Sequence, residues 1–205
     1  MHHLARVLRL SAGEAVTASD GAGRWRRCLF ADGARLEAVG DIAVVARPTP
    51  PVAVAFALTK GERPEWTVQK LAEAGVDRIV PMTSARTVVR WEGEKASRQV
   101  ARLRSVARAA AMQSRQVWLP VVEEVQPFAS VAAPDAAVAQ QGGDPPSLAR
   151  PFILVGPEGG WDDAELALGL PVVTLGPTVL RSETAAMAAG VLLCGLRAGV
   201  IGNVT

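Results

Sequence analysis

The chain has 205 residues, a formal net charge of +2 at pH 7 and 49% hydrophobic residues, with no tyrosine. That length suits one large or two small domains with an aliphatic core, and so small a charge does not argue for nucleic-acid binding by itself. Cys28 and Cys194 stand far apart with no Cys-x-x-Cys spacing, which argues against a disulfide framework and a zinc site and for reduced, buried thiols.

Residues 1 to about 47 read as short strands between tight turns. Val7–Leu10, Ala15–Ala18, Arg27–Phe30, Arg35–Val39 and Ile42–Val45 alternate with Gly- and Asp-bearing turns, the pattern of a small β-barrel. Arg47-Pro-Thr-Pro-Pro51 is the expected linker, because proline stiffens the chain and blocks strand pairing.

After the linker the pattern changes. Val52–Leu58 is a continuous apolar run, as expected of a parallel strand covered on both faces. Pro64 and Gly75 bracket a helix over 65–74, and Val76–Met82 reads as the next strand. Residues 94–115 form the longest predicted helix, with Val100, Leu103, Ala107, Ala110 and Ala111 on one face. Arg108 and Arg115 are expected at its negative end. Residues 126–150 predict one short strand, Ala136–Gln140, followed by a loop. Asp162-Asp-Ala-Glu165 has the form of a capping box opening a helix of about two turns, closed by Gly169 and Pro171. The last predicted helix, Ser182 or Glu183 to about Arg197, is apolar nearly all round and is therefore expected to be buried, in the domain or against a second copy.

The familiar catalytic patterns are missing. His2 and His3 are the only histidines, and there is no Gly-x-Ser-x-Gly elbow. No metal-ligand set is expected, no stretch approaches a membrane span, and the N-terminus lacks the apolar core of a signal peptide, so a cytoplasmic location is expected. The chemistry points instead to two glycine-bearing loops about 20 residues apart, Leu154-Val-Gly-Pro-Glu-Gly-Gly-Trp161 and Leu175-Gly-Pro-Thr-Val-Leu-Arg-Ser-Glu-Thr-Ala185. Each follows a short apolar run, Phe152–Val155 and Val172–Leu175. Glycine lets backbone approach a ligand, and ligands of parallel sheets sit beyond the carboxyl ends of strands. The first loop is neither a Walker loop nor a dinucleotide fingerprint. Arg181 and Glu183 fall at the opening of the last helix, near free amides and the positive helix end.

These two loops resemble those of the SPOUT-class methyltransferases, and specifically the family that methylates ring nitrogen 3 of a uracil in bacterial 16S rRNA. Supporting segments are His3–Gly13, Lys60-Gly-Glu62, Gln69–Val76, Ser84-Ala-Arg86 and Ala110–Arg115. The resemblance implies an α/β domain over 52–205 with a trefoil-knotted, parallel-sheet core, preceded over 1–47 by a small, truncated PUA/OB-like β-barrel that binds RNA. It implies S-adenosyl-L-methionine as cofactor, 16S rRNA within the small ribosomal subunit as partner, and a homodimer. By motif match the cofactor would be held by Leu58, by Leu154, Val155, Gly156, Pro157, Glu158, Gly159 and Gly160, and by Leu175, Gly176, Pro177, Val179, Leu180, Arg181, Thr184 and Ala185. Arg181 and Glu183 would be catalytic, Arg181 facing the uracil anion and Glu183 accepting a proton or stabilising the helix start. Arg6, Arg9, Lys60 and Arg86 would contact rRNA. Two other readings stay open: a ribose 2′-O-methyltransferase of the same fold, and a non-catalytic RNA-binding or ribosome-assembly protein.

Overall fold

In the computed structural model, residues 10–31 and 35–202 are described, and they fall into two compact units, Met1–Arg47 and Pro48–Thr205. The described part of the first unit is an antiparallel sheet of β1 (Ala15–Ser19), β2 (Arg24–Ala31) and β3 (Arg35–Val44), paired in that order. The β1–β2 turn is held by Asp20, whose Oδ1 accepts the amides of Ala22 (2.7 Å) and Arg24 (3.1 Å). β3 runs unbroken through the Gly40–Asp41 step, where two strand pieces are predicted. Its pairing with β2 absorbs the irregularity in a register shift between Trp25 and Arg27. The predicted strand Val7–Leu10 lies outside the described residues except for Leu10, which is not in a strand.

The second unit is α/β. In chain order it contains β4 (Ala53–Ala57), α1 (Arg63–Ala74), β5 (Arg78–Thr83), α2 (Gly93–Gln113), β6 (Val121–Val122) and β7 (Gln126–Pro127). Then follow α3 (Phe128–Val131), β8 (Ala136–Asp144), β9 (Phe152–Val155), α4 (Asp163–Leu166), β10 (Val172–Val173) and α5 (Ser182–Arg197). The seven strands form one sheet of order β10-β8-β9-β4-β5-β6, with β7 also on β5, and every pairing is parallel.

Period-two alternation gives the central strands two apolar faces. Val54, Phe56, Ile79, Ile153 and Val155 pack with α1, α2 and α5 on one side. Ala53, Ala55, Ala57, Val80, Met82 and Leu154 meet Phe128, Val131 and Trp161 on the other. α1 carries Pro64 in its first turn and ends on Gly75, whose φ of 90° is the left-handed cap that glycine adopts freely. α2 buries the five residues on its predicted face, but it ends at Gln113, so Arg115 lies past the helix with a left-handed φ of 59°.

Two sequence expectations are corrected. The 126–150 segment holds a helical turn, α3, and a strand that continues to Asp144 rather than stopping at Gln140. α4 is a single turn, although its capping box is formed: Asp162 accepts from Ala164 N (3.1 Å) and Glu165 from Asp162 N (2.9 Å). Within the unit α5 is buried on one side. Ala186, Ala189, Gly190 and Leu193 are buried against the sheet side, whereas Val191 is 49% exposed, because the sheet and α1 cover only one side of the helix.

The C-terminal end of α5 is anchored by a buried ion pair between Arg197 and Asp77. Arg197 also donates to Gly75 O (2.8 Å), and Asp77 accepts Val52 N (2.9 Å), which ties α5 to the starts of β4 and β5. Both cysteines are free. Burial, against the opposing pull of Arg197, pushes the Cys194 thiol up to about 11, so it stays protonated at neutral pH.

A candidate cofactor cavity between two glycine loops

β9 and β10 deliver their loops to the same end of the sheet, and a cavity of about 820 Å³ opens between them. That volume lies within the range of small-molecule and cofactor sites. The first loop contributes Val155, Gly156, Pro157, Glu158, Gly160 and Trp161 to its wall. The second contributes Leu175, Gly176, Thr178, Val179, Leu180 and Arg181, and the start of α5 adds Ser182 and Ala185. Ala139, Gln140 and Gln141 of β8 close the far side, and Arg63 lies at one edge.

Local chemistry explains each wall. After β9, Gly160 turns the chain at φ 72°, its amide donating to Pro157 O (2.9 Å). Trp161 then folds under the loop: it is 7% exposed, its Nε1 donates to Ala139 O (3.1 Å), and its ring lies 5.1 Å from that of Phe128. The β5–α2 connection braces the loop from outside. There Glu165 accepts Ala85 N (2.8 Å), and Arg86 donates to Gly159 O (3.2 Å) and stands 3.5 Å from Asp162.

The second loop enters α5 through Arg181, the extended residue just before the helix. The first-turn amides of that helix have no intrahelical acceptor, which leaves a positive end at the cavity mouth. Ser182 joins the two loops directly, its hydroxyl donating to Gly156 O (2.9 Å). On the first glycine loop Glu158 pairs with Arg63, and Arg63 Nη1 is 4.0 Å from Glu183 Oε2.

The structure thus gathers Val155, Gly156, Pro157, Glu158, Gly160, Leu175, Gly176, Val179, Leu180, Arg181 and Ala185 around one cavity. Leu58 and Leu154 lie off it, buried in the core. Gly159 faces Arg86, Pro177 is exposed, and Glu183 and Thr184 sit in the first turn of α5 behind the wall. Lys60 is exposed in the β4–α1 turn and Arg86 is exposed beside the first loop. Arg6 and Arg9 lie outside the described residues.

Arg63, Trp161, Ser182 and the Ala139–Gln141 stretch are cavity residues that the sequence reading does not single out. Trp161 and Ser182 sit inside the quoted loops, so their signal was present. Arg63 and β8 come from distant sequence, where local pattern carries none. Among the described residues no group of three or more His, Cys, Asp or Glu is arranged for a metal, and no helix is long and apolar enough to cross a membrane.

Comparison with known proteins agrees with this architecture. A family model for an RNA methyltransferase domain matches residues 47–193, and one for an RNA methyltransferase PUA domain matches residues 1–44. The ribosomal RNA small subunit methyltransferase E of Mycobacterium bovis is 37% identical over 220 residues, covering 91% of this chain and 80% of the relative. A crystal structure of the Neisseria gonorrhoeae enzyme of the same name, bound to S-adenosyl methionine, superposes with a TM-score of 0.79 at 28% identity, covering 95% of this chain and 88% of the other. A Legionella pneumophila protein described as a methyltransferase, in complex with the same cofactor, gives 0.80 at 27% identity over 94% and 87% of the two chains. With its α/β domain matched over most of the chain, its N-terminal unit matched as PUA and a relative above a third identical, the protein belongs to the ribosomal RNA small subunit methyltransferase E family of RNA methyltransferases.

Proposed function

We propose that the chain transfers a methyl group from S-adenosyl-L-methionine to ring nitrogen 3 of one uracil in 16S rRNA of the small ribosomal subunit. The observation that carries this reading is the cavity between the two glycine loops, in a chain whose solved relatives hold that cofactor. The residues present fit it. Gly156, Gly160 and Gly176 are on the wall and put no side chain into the cavity, so backbone can approach a ligand there. Val155, Leu175, Leu180 and Trp161 supply apolar surface, and the loops supply backbone donors and acceptors suited to a neutral heterocycle such as adenine.

The bound cofactor would supply a methyl group already activated by its sulfonium. The protein's work is then to position the base and manage its imide proton. Arg181 reaches the wall beside the positive end of α5, where a preorganised cation stabilises the anion that forms as uracil loses that proton. Glu183, two residues on and behind the cavity wall, is assigned either to take the proton or to stabilise the first turn of α5. Arg6, Arg9, Lys60 and Arg86 are assigned to rRNA phosphates, contacts that position the partner without reading its sequence. The C-terminal segment is assigned a trefoil knot, and the half-exposed side of α5 around Val191 the surface of a homodimer.

The test is incubation of the protein with labelled S-adenosyl-L-methionine and small subunits lacking uracil methylation, with nucleosides identified by mass spectrometry. We expect 3-methyluridine at one site, and a single-turnover rate about 10²-fold lower in Arg181→Ala, the usual loss on removing one oxyanion donor. A 2′-O-methylated nucleoside, or full activity in Arg181→Ala, would overturn the reading.

A further inference from the structure

Arg63 opens α1, directly after the Lys60-Gly-Glu62 turn, where Gly61 takes a φ of 71° and Pro64 is buried as an early helical residue. Its guanidinium reaches two acids on separate elements. Nη1 donates to Glu158 Oε1 of the first glycine loop and stands 4.0 Å from Glu183 Oε2 in the first turn of α5. That Glu183 oxygen is buried and has no hydrogen-bond partner among the described residues. A carboxylate oxygen withdrawn from water needs a nearby cation or donor, and Arg63 is the cation that the fold brings to it. Glu158 is mostly exposed and Glu183 mostly buried, with side-chain exposures of 62% and 15%. One guanidinium therefore links the rim of the cavity to the helix behind it.

We propose that Arg63 is a positioning residue that fixes the Gly156–Gly160 loop against the first turn of α5, and so sets where Arg181 stands over the cavity. The loop is held at two points. Ser182 Oγ binds Gly156 O at its start, and Arg63 binds Glu158 further along. Arg181 immediately precedes Ser182, so a shift of loop against helix carries Arg181 with it. The Arg63 side chain is 39% exposed, so its pairs add little to global stability and their effect is local. Both acids meet the single atom Nη1, held in place by a rigid planar guanidinium, whereas a lysine ammonium is a rotatable point charge on a flexible stem. The kinetic consequence rests on the methyltransferase reading above, but the mechanical one does not.

The test compares Arg63→Gln and Arg63→Lys with the unaltered chain in two measurements. The first is amide exchange over 156–161 without ligand, where the Gly160 amide, bonded to Pro157 O at 2.9 Å, is the reporter. We expect its exchange to speed up about tenfold in Arg63→Gln while the amides of α2 hold, and Arg63→Lys to recover only part of the protection. The second is methyl transfer to small subunits, where kcat should fall with KM for the subunit unchanged. Unchanged exchange at Gly160 overturns the proposal, and so does faster exchange spread through α2, which would make Arg63 a general stabiliser. If the unaltered chain neither binds S-adenosyl-L-methionine nor methylates subunits, the functional reading fails, and the exchange measurement still decides the role of Arg63.

Discussion

At Gly156 the cavity depends on the absence of a single carbon. A Cβ there would lie 3.0 Å from Trp161 Cε2 and within 3.3 Å of two further ring atoms. The indole cannot easily yield, because Nε1 is bonded to Ala139 O and the ring is packed on Phe128. Gly160 differs: its surroundings are open, but its φ of 72° is one that other residues rarely adopt. One glycine is required by packing and the other by backbone. Gly156→Ala is therefore expected to push the loop into the cavity at an overpacking cost of about 1–3 kcal/mol. If that cost falls on the bound state, affinity for S-adenosyl-L-methionine drops about tenfold or more. Calorimetric titration checks this, and an unchanged Kd would mean that the loop relaxes away from the indole at no cost to the site.

At the scale of elements, α5 decides most. Its N-terminus borders the cavity, its middle packs on α1, and its end is anchored by the Arg197–Asp77 pair. Gly190 permits the close approach to α1, since a Cβ would come within 2.7 Å of Leu71 and 2.9 Å of Val76. The outward side is left with Val191 half exposed. An isolated surface valine tolerates glutamate within about 0.5 kcal/mol, but a charge buried without a partner in a subunit interface does not. With the side of α5 around Val191 as the proposed homodimer surface, Val191→Glu is expected to keep its melting temperature at high dilution while light scattering shows the mass falling from two chains to one. A mass unchanged by the substitution, or an unaltered chain that is already single, would overturn that assignment.

The same elements show what the sequence could disclose. Pro64, Gly75, the α2 face and the Asp162–Glu165 box are local signals, and each lies where the structure uses it. Both glycine loops are also local, and so were readable as one pocket. β8 was not. Gly142 and Gly143 look like loop punctuation, yet Gly143 is needed because β10 passes so close that a Cβ would sit 2.4 Å from Val172 O. Val172 pairs with Val138, but Val173 pairs with Asp144, so the stretch between bulges out and its Ala139–Gln141 part lines the cavity. That register is set by a strand far along the chain, and no local periodicity encodes it. Arg63 was hidden for the same reason, with Glu158 lying 95 residues away.

For the molecule as a whole, the question is which properties belong to which unit. Both apolar clusters of the second unit draw only on residues between Val52 and Cys194, on the two faces of one sheet. The cavity, its arginines and the Arg197–Asp77 anchor also fall within Pro48–Thr205. Every described residue of this core and of this cavity wall lies in the second unit. A domain with its own core can in principle fold alone, and small single domains usually unfold cooperatively. Residues 48–205 expressed separately are therefore expected to melt in one transition and to bind S-adenosyl-L-methionine with a Kd within about threefold of the full chain, under 1 kcal/mol apart. Methylation of small subunits should fall far more steeply. The second unit keeps Lys60 and Arg86 but lacks Arg6 and Arg9, proposed above as phosphate contacts, and losing such contacts weakens RNA binding while flattening its dependence on salt. Activity of the fragment equal to that of the full chain would move rRNA recognition onto the α/β unit and away from the N-terminal arginines, whereas loss of cofactor binding in a folded fragment would mean that the cavity needs the first unit after all.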